Sequence, residues 1–218
     1  MYTHVIFDLD GTLLNTIDDL ADAGNHVSRL HGWPTHTVEE YKYFVGNGMA
    51  KLAERFVPEE WRTPEGVRQV LDEFMPYYDA HKQDKTAPYP GVPEAVRTMK
   101  AAGVQVAVLS NKADQMAGPV VEHYYPGVFP IIQGALPGLP PKPDPTLLHH
   151  LMKRMGAEGA TTLFVGDSNV DIRTAKNGGL TSCGVLWGFR TREELEAEGA
   201  DFIAETPEQL AELVLHRG

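Results

Sequence analysis

The chain has 218 residues, 42% of them hydrophobic and 22% charged, with a formal net charge of -11 and one cysteine. That length supports one good core, or a core with a smaller second domain, and the composition is that of a soluble globular protein. The negative charge argues against general nucleic-acid or anionic-membrane binding, no apolar run approaches a membrane span, and one cysteine excludes an intramolecular disulfide.

Residues 3–8, ending VIFD, read as a strand that runs into Asp8 and Asp10, with Gly11 and Thr12 behind them. Two like charges side by side repel and resist burial. Either they face solvent in a turn, or a cation holds them. The next residues, roughly 14–86, read as about four helices. NTIDDLADAGNHVSRLHG carries Ile17, Leu20, Ala21, Gly24, Val27 and Leu30 at helical spacing. TVEEYKYFVGNG offers a capping box in Thr37 and Glu40 and is stopped by GNG at 46–48. MAKLAERF and TPEGVRQVLDEFMPYYDAHK are also helical in pattern.

From about residue 88 the pattern becomes β-α-β. PEAVRTMKAAG is a helix ending on Gly103, and 104–110 is an apolar strand ending at Ser110 and Asn111. A further strand core lies in 128–134. DPTLLHHLMKRMG reads as a helix with an Asp cap and Pro145 in its first turn. Strands over 162–166 and 182–187 follow, then helices TREELEAEG, with a capping box in Thr191 and Glu194, and TPEQLAELVLH. Continuous apolar strands alternating with helices predict a parallel sheet covered on both faces. An insertion after the first strand stands at the carboxyl end of the sheet, where open α/β folds bind ligands, and suits a lid. Cys183 reads as a buried strand residue and the nine histidines as surface or packing residues.

Chemistry is carried by four short stretches, each with a bland alternative. Asp8 and Asp10 suit a cation, or a solvated turn. LFVGDSNVD places Asp167 at a second strand end with Asp171 four residues on; this pair suits a metal, or a helix cap. Ser110 and Asn111 suit phosphate oxygens, or a plain cap. Lys142, in PGLPPKPDP, suits an anion, or a solvated connector. Together they describe carboxylates around a hard cation such as Mg²⁺, with a lysine and a hydroxyl for an anionic group. A carboxylate nucleophile beside a second carboxylate acting as acid and base is a workable plan for phosphoryl transfer.

DLDGT at 8–12, Ser110 after an apolar strand, Lys142 in KPDP and GDSNVD at 166–171 occur in the order of the haloacid dehalogenase superfamily. In these motifs the chain resembles that family's phosphatase branch, over nearly its whole length. The resemblance implies a Rossmann-like α/β core over 1–13 and 87–218, with a type-1 helical cap over 14–86. It implies Asp8 as nucleophile, carrying an aspartyl-phosphate, and Asp10 as the acid and base. Mg²⁺ would be held by Asp8, Asp10 (through its backbone carbonyl) and Asp167. Ser110 and Lys142 would hold the phosphoryl group, with Asp171 orienting Lys142 or a metal-bound water and Thr12 positioning Asp10. An acid at Asp10 speaks against carbon–halogen cleavage. SNK at 110–112 and GNG at 46–48 resemble the phosphoglycolate phosphatases, which implies substrate contacts from Gly11, Thr12, Asn47, Gly48, Ser110 and Asn111; Asn15 departs from the frequent acid. The expected activity is Mg²⁺-dependent hydrolysis of a small phosphate ester, best 2-phosphoglycolate, by a cytoplasmic monomer or homodimer. The alternatives are a sugar phosphomutase, or a pyrophosphatase or nucleotidase of the same superfamily.

Overall fold

The computed structural model describes residues 1–216. The chain divides into two units, Met1–Leu14 with Pro88–Gly218, and Asn15–Ala87. The first is an α/β layer structure whose six-stranded sheet is parallel throughout. Its strands are β1 (His4–Phe7), β4 (Gln105–Ala113), β5 (Ile131–Ala135), β6 (Thr162–Gly166), β7 (Thr181–Val185) and β8 (Phe202–Ala204), in the order β5-β4-β1-β6-β7-β8. β1 thus lies between β4 and β6, with Phe7 opposite Val108 and Val165. That register brings Asp8, Ser110 and Asp167 side by side, although β4 runs on to Ala113 and so holds Ser110 and Asn111 within the strand rather than at its expected end.

Successive strand residues alternate between two cores, as a sheet covered on both faces requires. Val5, Phe7, Val106, Val108, Leu163 and Val165 pack with α5 (Val92–Ala101), α6 (Asp114–Tyr124) and α10 (Pro207–Leu215). Ile6, Ala107, Leu109 and Phe164 face α7 (Thr146–Met155) and α8 (Asn169–Asn177). Cys183 is buried in the first of these cores, and burial pushes its thiol up to about 12. α9 (Arg192–Ala197) has the expected Thr191–Glu194 capping box. The Asp-Pro start of α7 differs in detail. Pro145 occupies the N-cap position, and Asp144 accepts from the Thr146 N–H at 2.9 Å, so the acid caps from one residue further out.

α6 and β8 have no counterpart in the periodicity. α6 contains Gly118 and Pro119, which interrupt a helical reading, yet Met116, Ala117, Val120 and Val121 make it a buried helix. β8 is three residues long.

The second unit holds α1 (Ile17–Leu30), α2 (Val38–Phe44), α3 (Met49–Phe56) and α4 (Pro64–His81). Thr37 and Glu40 form the expected capping box, and Thr63 caps α4 by accepting from the Gly66 N–H at 3.1 Å. Gly24, mid-helix in α1, makes room for Tyr41: a Cβ there would lie 2.2 Å from the tyrosine hydroxyl. Phe56, Phe74 and Tyr78 continue the packing with ring centroids 6.2 and 5.6 Å apart. Leu30, expected on the apolar stripe, is 63% exposed. At 3.6 residues per turn it lies roughly 120° from the stripe's centre, so helical drift has carried it round to solvent. Asp19, in the first turn of α1, is buried and accepts from the backbone N–H groups of Lys85 and Thr86 and from the Thr86 hydroxyl. β2 (Leu14–Asn15) and β3 (Ala87–Pro88) pair as a two-stranded sheet where the chain passes between the units.

Candidate active site

The chain turns sharply after β1. The Asp8 N–H still donates to Val165 O, and the N–H groups of Leu13 and Leu14 return to Leu9 O, each at 3.0 Å. Gly11 sits in this turn at φ 90°, a conformation that disfavours a side chain. A Cβ at Gly11 would also lie 2.3 Å from Asp167 Oδ2, so the absence of a side chain lets the turn close on β6. Gly188 makes the same allowance from the other side, where a Cβ would stand 2.2 Å from Asp167 Cβ.

Asp167 is thereby held on several sides. Thr12 Oγ1 donates to its Oδ1 at 3.1 Å, and the Phe189 N–H donates to its Oδ2 at 2.8 Å. The turn thus carries the Thr12 hydroxyl, expected to help position Asp10, onto Asp167. Trp187 Nε1 fastens the turn by donating to Thr12 O at 2.9 Å.

Asp171 lies in the first turn of α8 as Ser168 caps it. The Ser168 N–H and hydroxyl both donate to Asp171 Oδ2, at 3.1 and 2.7 Å. Its other oxygen accepts from Lys142 Nζ at 2.7 Å, and the same ammonium group lies 2.8 Å from Asp8 Oδ1. Lys142 therefore bridges Asp8 and Asp171, and its side chain is 2% exposed. Its backbone is fixed by Asn111, which donates from Nδ2 to Lys142 O at 3.0 Å and accepts from the Lys142 N–H at 2.8 Å. Asn111, expected at the substrate, thus exchanges both polar atoms of its amide with the lysine loop. Ser110 is buried, and its Oγ accepts from the Lys112 N–H at 3.1 Å.

Asp8, Asp167 and Asp171 are all buried, and each offers an oxygen within 4.8 Å of the others. Such crowding favours protonation. Burial and then Asp171 push Asp8 well above the usual carboxylate range, although Lys142 pulls the other way. Asp167 is pushed up to about 7 by burial and Asp171, against the Phe189 N–H, Arg190 and Thr12. Burial opposes the charge on Lys142, but Asp171 and Asp8 outweigh it and raise that pKa. Buried carboxylate oxygens crowded beyond what one lysine neutralises, with glycines clearing the space beside Asp167, make a donor set that fits Mg²⁺.

Asp10 puts no carboxylate into this cluster. Its Oδ1 accepts from Lys112 Nζ at 3.1 Å. Lys112 carried no assigned role in the sequence. The available signal was its spacing, two residues beyond Ser110 on the same strand. Asn47 and Gly48 belong to the second unit. Asn47 Oδ1 accepts from Arg55 Nη2 at 2.8 Å, while Arg55 Nη1 caps the end of α2 by donating to Phe44 O at 2.8 Å. Gly48, at φ 86°, is the N-cap of α3.

The family model for haloacid dehalogenase-like hydrolases matches residues 5–185. A phosphoglycolate phosphatase from Vibrio parahaemolyticus is 30% identical over 96% of this chain and 95% of its own length. One from Pseudomonas putida is 33% identical over 91% and 75%. A crystal structure from Lactobacillus delbrueckii, described as a candidate phosphoglycolate phosphatase, superposes with a TM-score of 0.93 at 33% identity, covering 99% of each chain.

Proposed function

The chain belongs to the haloacid dehalogenase-like hydrolases, and on that premise we propose that it hydrolyses small phosphate monoesters with Mg²⁺ through a phosphoryl group carried on Asp8. The observation that carries this reading is the placement of Asp8. It directly follows the central strand β1, paired with Lys142 and crowded by Asp167 and Asp171. In the proposed reaction an Asp8 oxygen attacks phosphorus as the bond to the leaving oxygen breaks, and Asp10 gives that oxygen its proton. Asp10 then takes a proton from water as the water attacks the phosphoryl group, and Asp8 is released with inorganic phosphate. Lys142 and Ser110 hold the phosphoryl oxygens, and Asp171 keeps Lys142 charged and in place. Asp8, Asp167 and the Asp10 carbonyl would hold Mg²⁺, which when bound offsets negative charge on the phosphoryl oxygens.

The best single substrate is 2-phosphoglycolate, supported by the names of the relatives at 30% and 33% identity. The choice of organic group is assigned to residues 14–86, where Arg55 pre-orders the Asn47 loop. The test is phosphate release from a panel of phosphate esters, with and without Mg²⁺. 2-Phosphoglycolate should give the largest kcat/KM, and Asp8→Asn should lower it by roughly 10³-fold or more. Activity surviving intact in that variant sinks the mechanism. Isomerisation of a hexose 1-phosphate without free phosphate would replace the hydrolase with a phosphomutase.

A further inference from the structure

The mechanism above uses Lys142, one of two buried lysines among the described residues. The other, Lys112, has a side chain that is 1% exposed, and its ammonium group donates to Asp10 Oδ1 at 3.1 Å. Burying an ammonium group is costly unless it is paired with good geometry, so this partnership needs a reason. The division of labour supplies one. Lys142 is spanned between Asp8 and Asp171. Lys112 belongs to the carboxylate two residues further along the turn.

We propose that Lys112 is the positioning residue for Asp10. An oxygen accepting from an ammonium group is the one that carries no proton. With Oδ1 held by Lys112, the proton that Asp10 hands to the leaving oxygen sits on Oδ2, and the carboxyl group is restrained from turning the wrong oxygen to the substrate. Lys112 itself is held from behind, because its N–H donates to Ser110 Oγ at 3.1 Å. The phosphoryl-holding serine and the proton-donating acid are thus tied to the same short run of β4. This inference rests on the reading of Asp10 as the group that protonates the leaving oxygen.

The experiment compares kcat/KM for two substrates on one preparation, so that the fraction of folded enzyme cancels; kcat/KM reports the step that expels the leaving group, not the later hydrolysis in which Asp10 serves both substrates alike. The fastest alkyl phosphate of the panel needs its leaving oxygen protonated; p-nitrophenyl phosphate leaves as a phenolate and does not. Asp10→Asn comes first. If it lowers both rates equally, the reading of Asp10 fails, and this inference with it. If it selectively slows the alkyl ester, Lys112→Met should do the same. It should lose roughly 10- to 100-fold on the alkyl ester, below the full worth of a general acid, and less than about 3-fold on the aryl ester. Lys112→Arg should recover part of the loss. In the Asp10→Asn background, Lys112→Met should cost no more than about 3-fold further, because residues acting through one group are not additive. Equal losses on both esters, a full further loss in the double variant, or no loss at all would overturn the assignment.

Discussion

Replacing Gly188 by alanine asks how tightly the acid cluster is built. An ideal Cβ there would lie 2.2 Å from Asp167 Cβ and 2.4 Å from Gly11 O. Carbon atoms meet comfortably at about 3.5–4.0 Å, so something must move by roughly 1.5 Å. Neither neighbour is the loose end of a flexible side chain. Asp167 is buried and bonded through both oxygens, and Gly11 O is backbone in a turn that bends at φ 90°. Overpacking of this kind costs about 1–3 kcal/mol. At about 2–4 °C per kcal/mol for a chain of this size, the melting temperature should fall by roughly 2–12 °C. Displacing Asp167 by about 1 Å should also cost on the order of 10²-fold in phosphate release and raise the Mg²⁺ concentration needed. The control is Gly118→Ala in α6, where a Cβ would meet nothing within 4 Å. A Gly188→Ala protein that melts within about 1 °C of the parent, with an unchanged Mg²⁺ requirement, would refute the steric reasoning.

Asp167 also predicts a pH dependence for the metal-free protein. Its folded pKa is raised to about 7 from 3.8, so the native state holds a proton that the unfolded chain has released. The stability this proton confers is complete below the unfolded value and disappears as pH rises through about 7. Chemical denaturation should therefore show stability falling across that window, and Mg²⁺ should raise the melting point more at about pH 8 than at about pH 5; a Mg²⁺ effect equal at both would count against the cluster as its site. Asp19→Ala removes the acceptor that the buried Thr86 N–H uses, at about 1–3 kcal/mol, together with the more exposed bond from Lys85. Limited proteolysis should then cut within residues 15–87 sooner than in the parent; unchanged cleavage would mean that Asp19 does not hold the segment.

Local rules were legible wherever the chemistry is local. The capping boxes at Thr37–Glu40 and Thr191–Glu194 are four-residue patterns, and both form. Asp8, Ser110 and Asp167 were readable because each follows an apolar run, and parallel pairing around β1 brings those runs into register. What escaped reading depends on distance along the chain. Thr12 and Asp167 are 155 positions apart, and Lys112 and Asp10 are 102 apart. Only the register of the sheet decides which hydroxyl or ammonium group reaches which acid. Gly188 carries no motif, and its necessity lies in the volume Asp167 takes up. α6 was hidden for the opposite reason: Gly118 and Pro119 argue locally against a helix that burial of its neighbours enforces.

The bonds from Lys85 and Thr86 to Asp19 fasten the last residues of the helical segment to its first turn. A loop is charged entropy according to how far its ends must be brought together, and the cost grows only slowly with length. Here the ends are joined from within the inserted piece itself. The parent sheet therefore closes a gap equivalent to a tight turn, however many residues hang beyond it. Such a piece behaves as an exchangeable cassette: it can be lengthened, shortened or traded for another whose termini meet in the same way, leaving the register of β1, β4 and β6 untouched. A lineage built on this plan can remodel the inserted piece without re-solving the packing of the strands it hangs from.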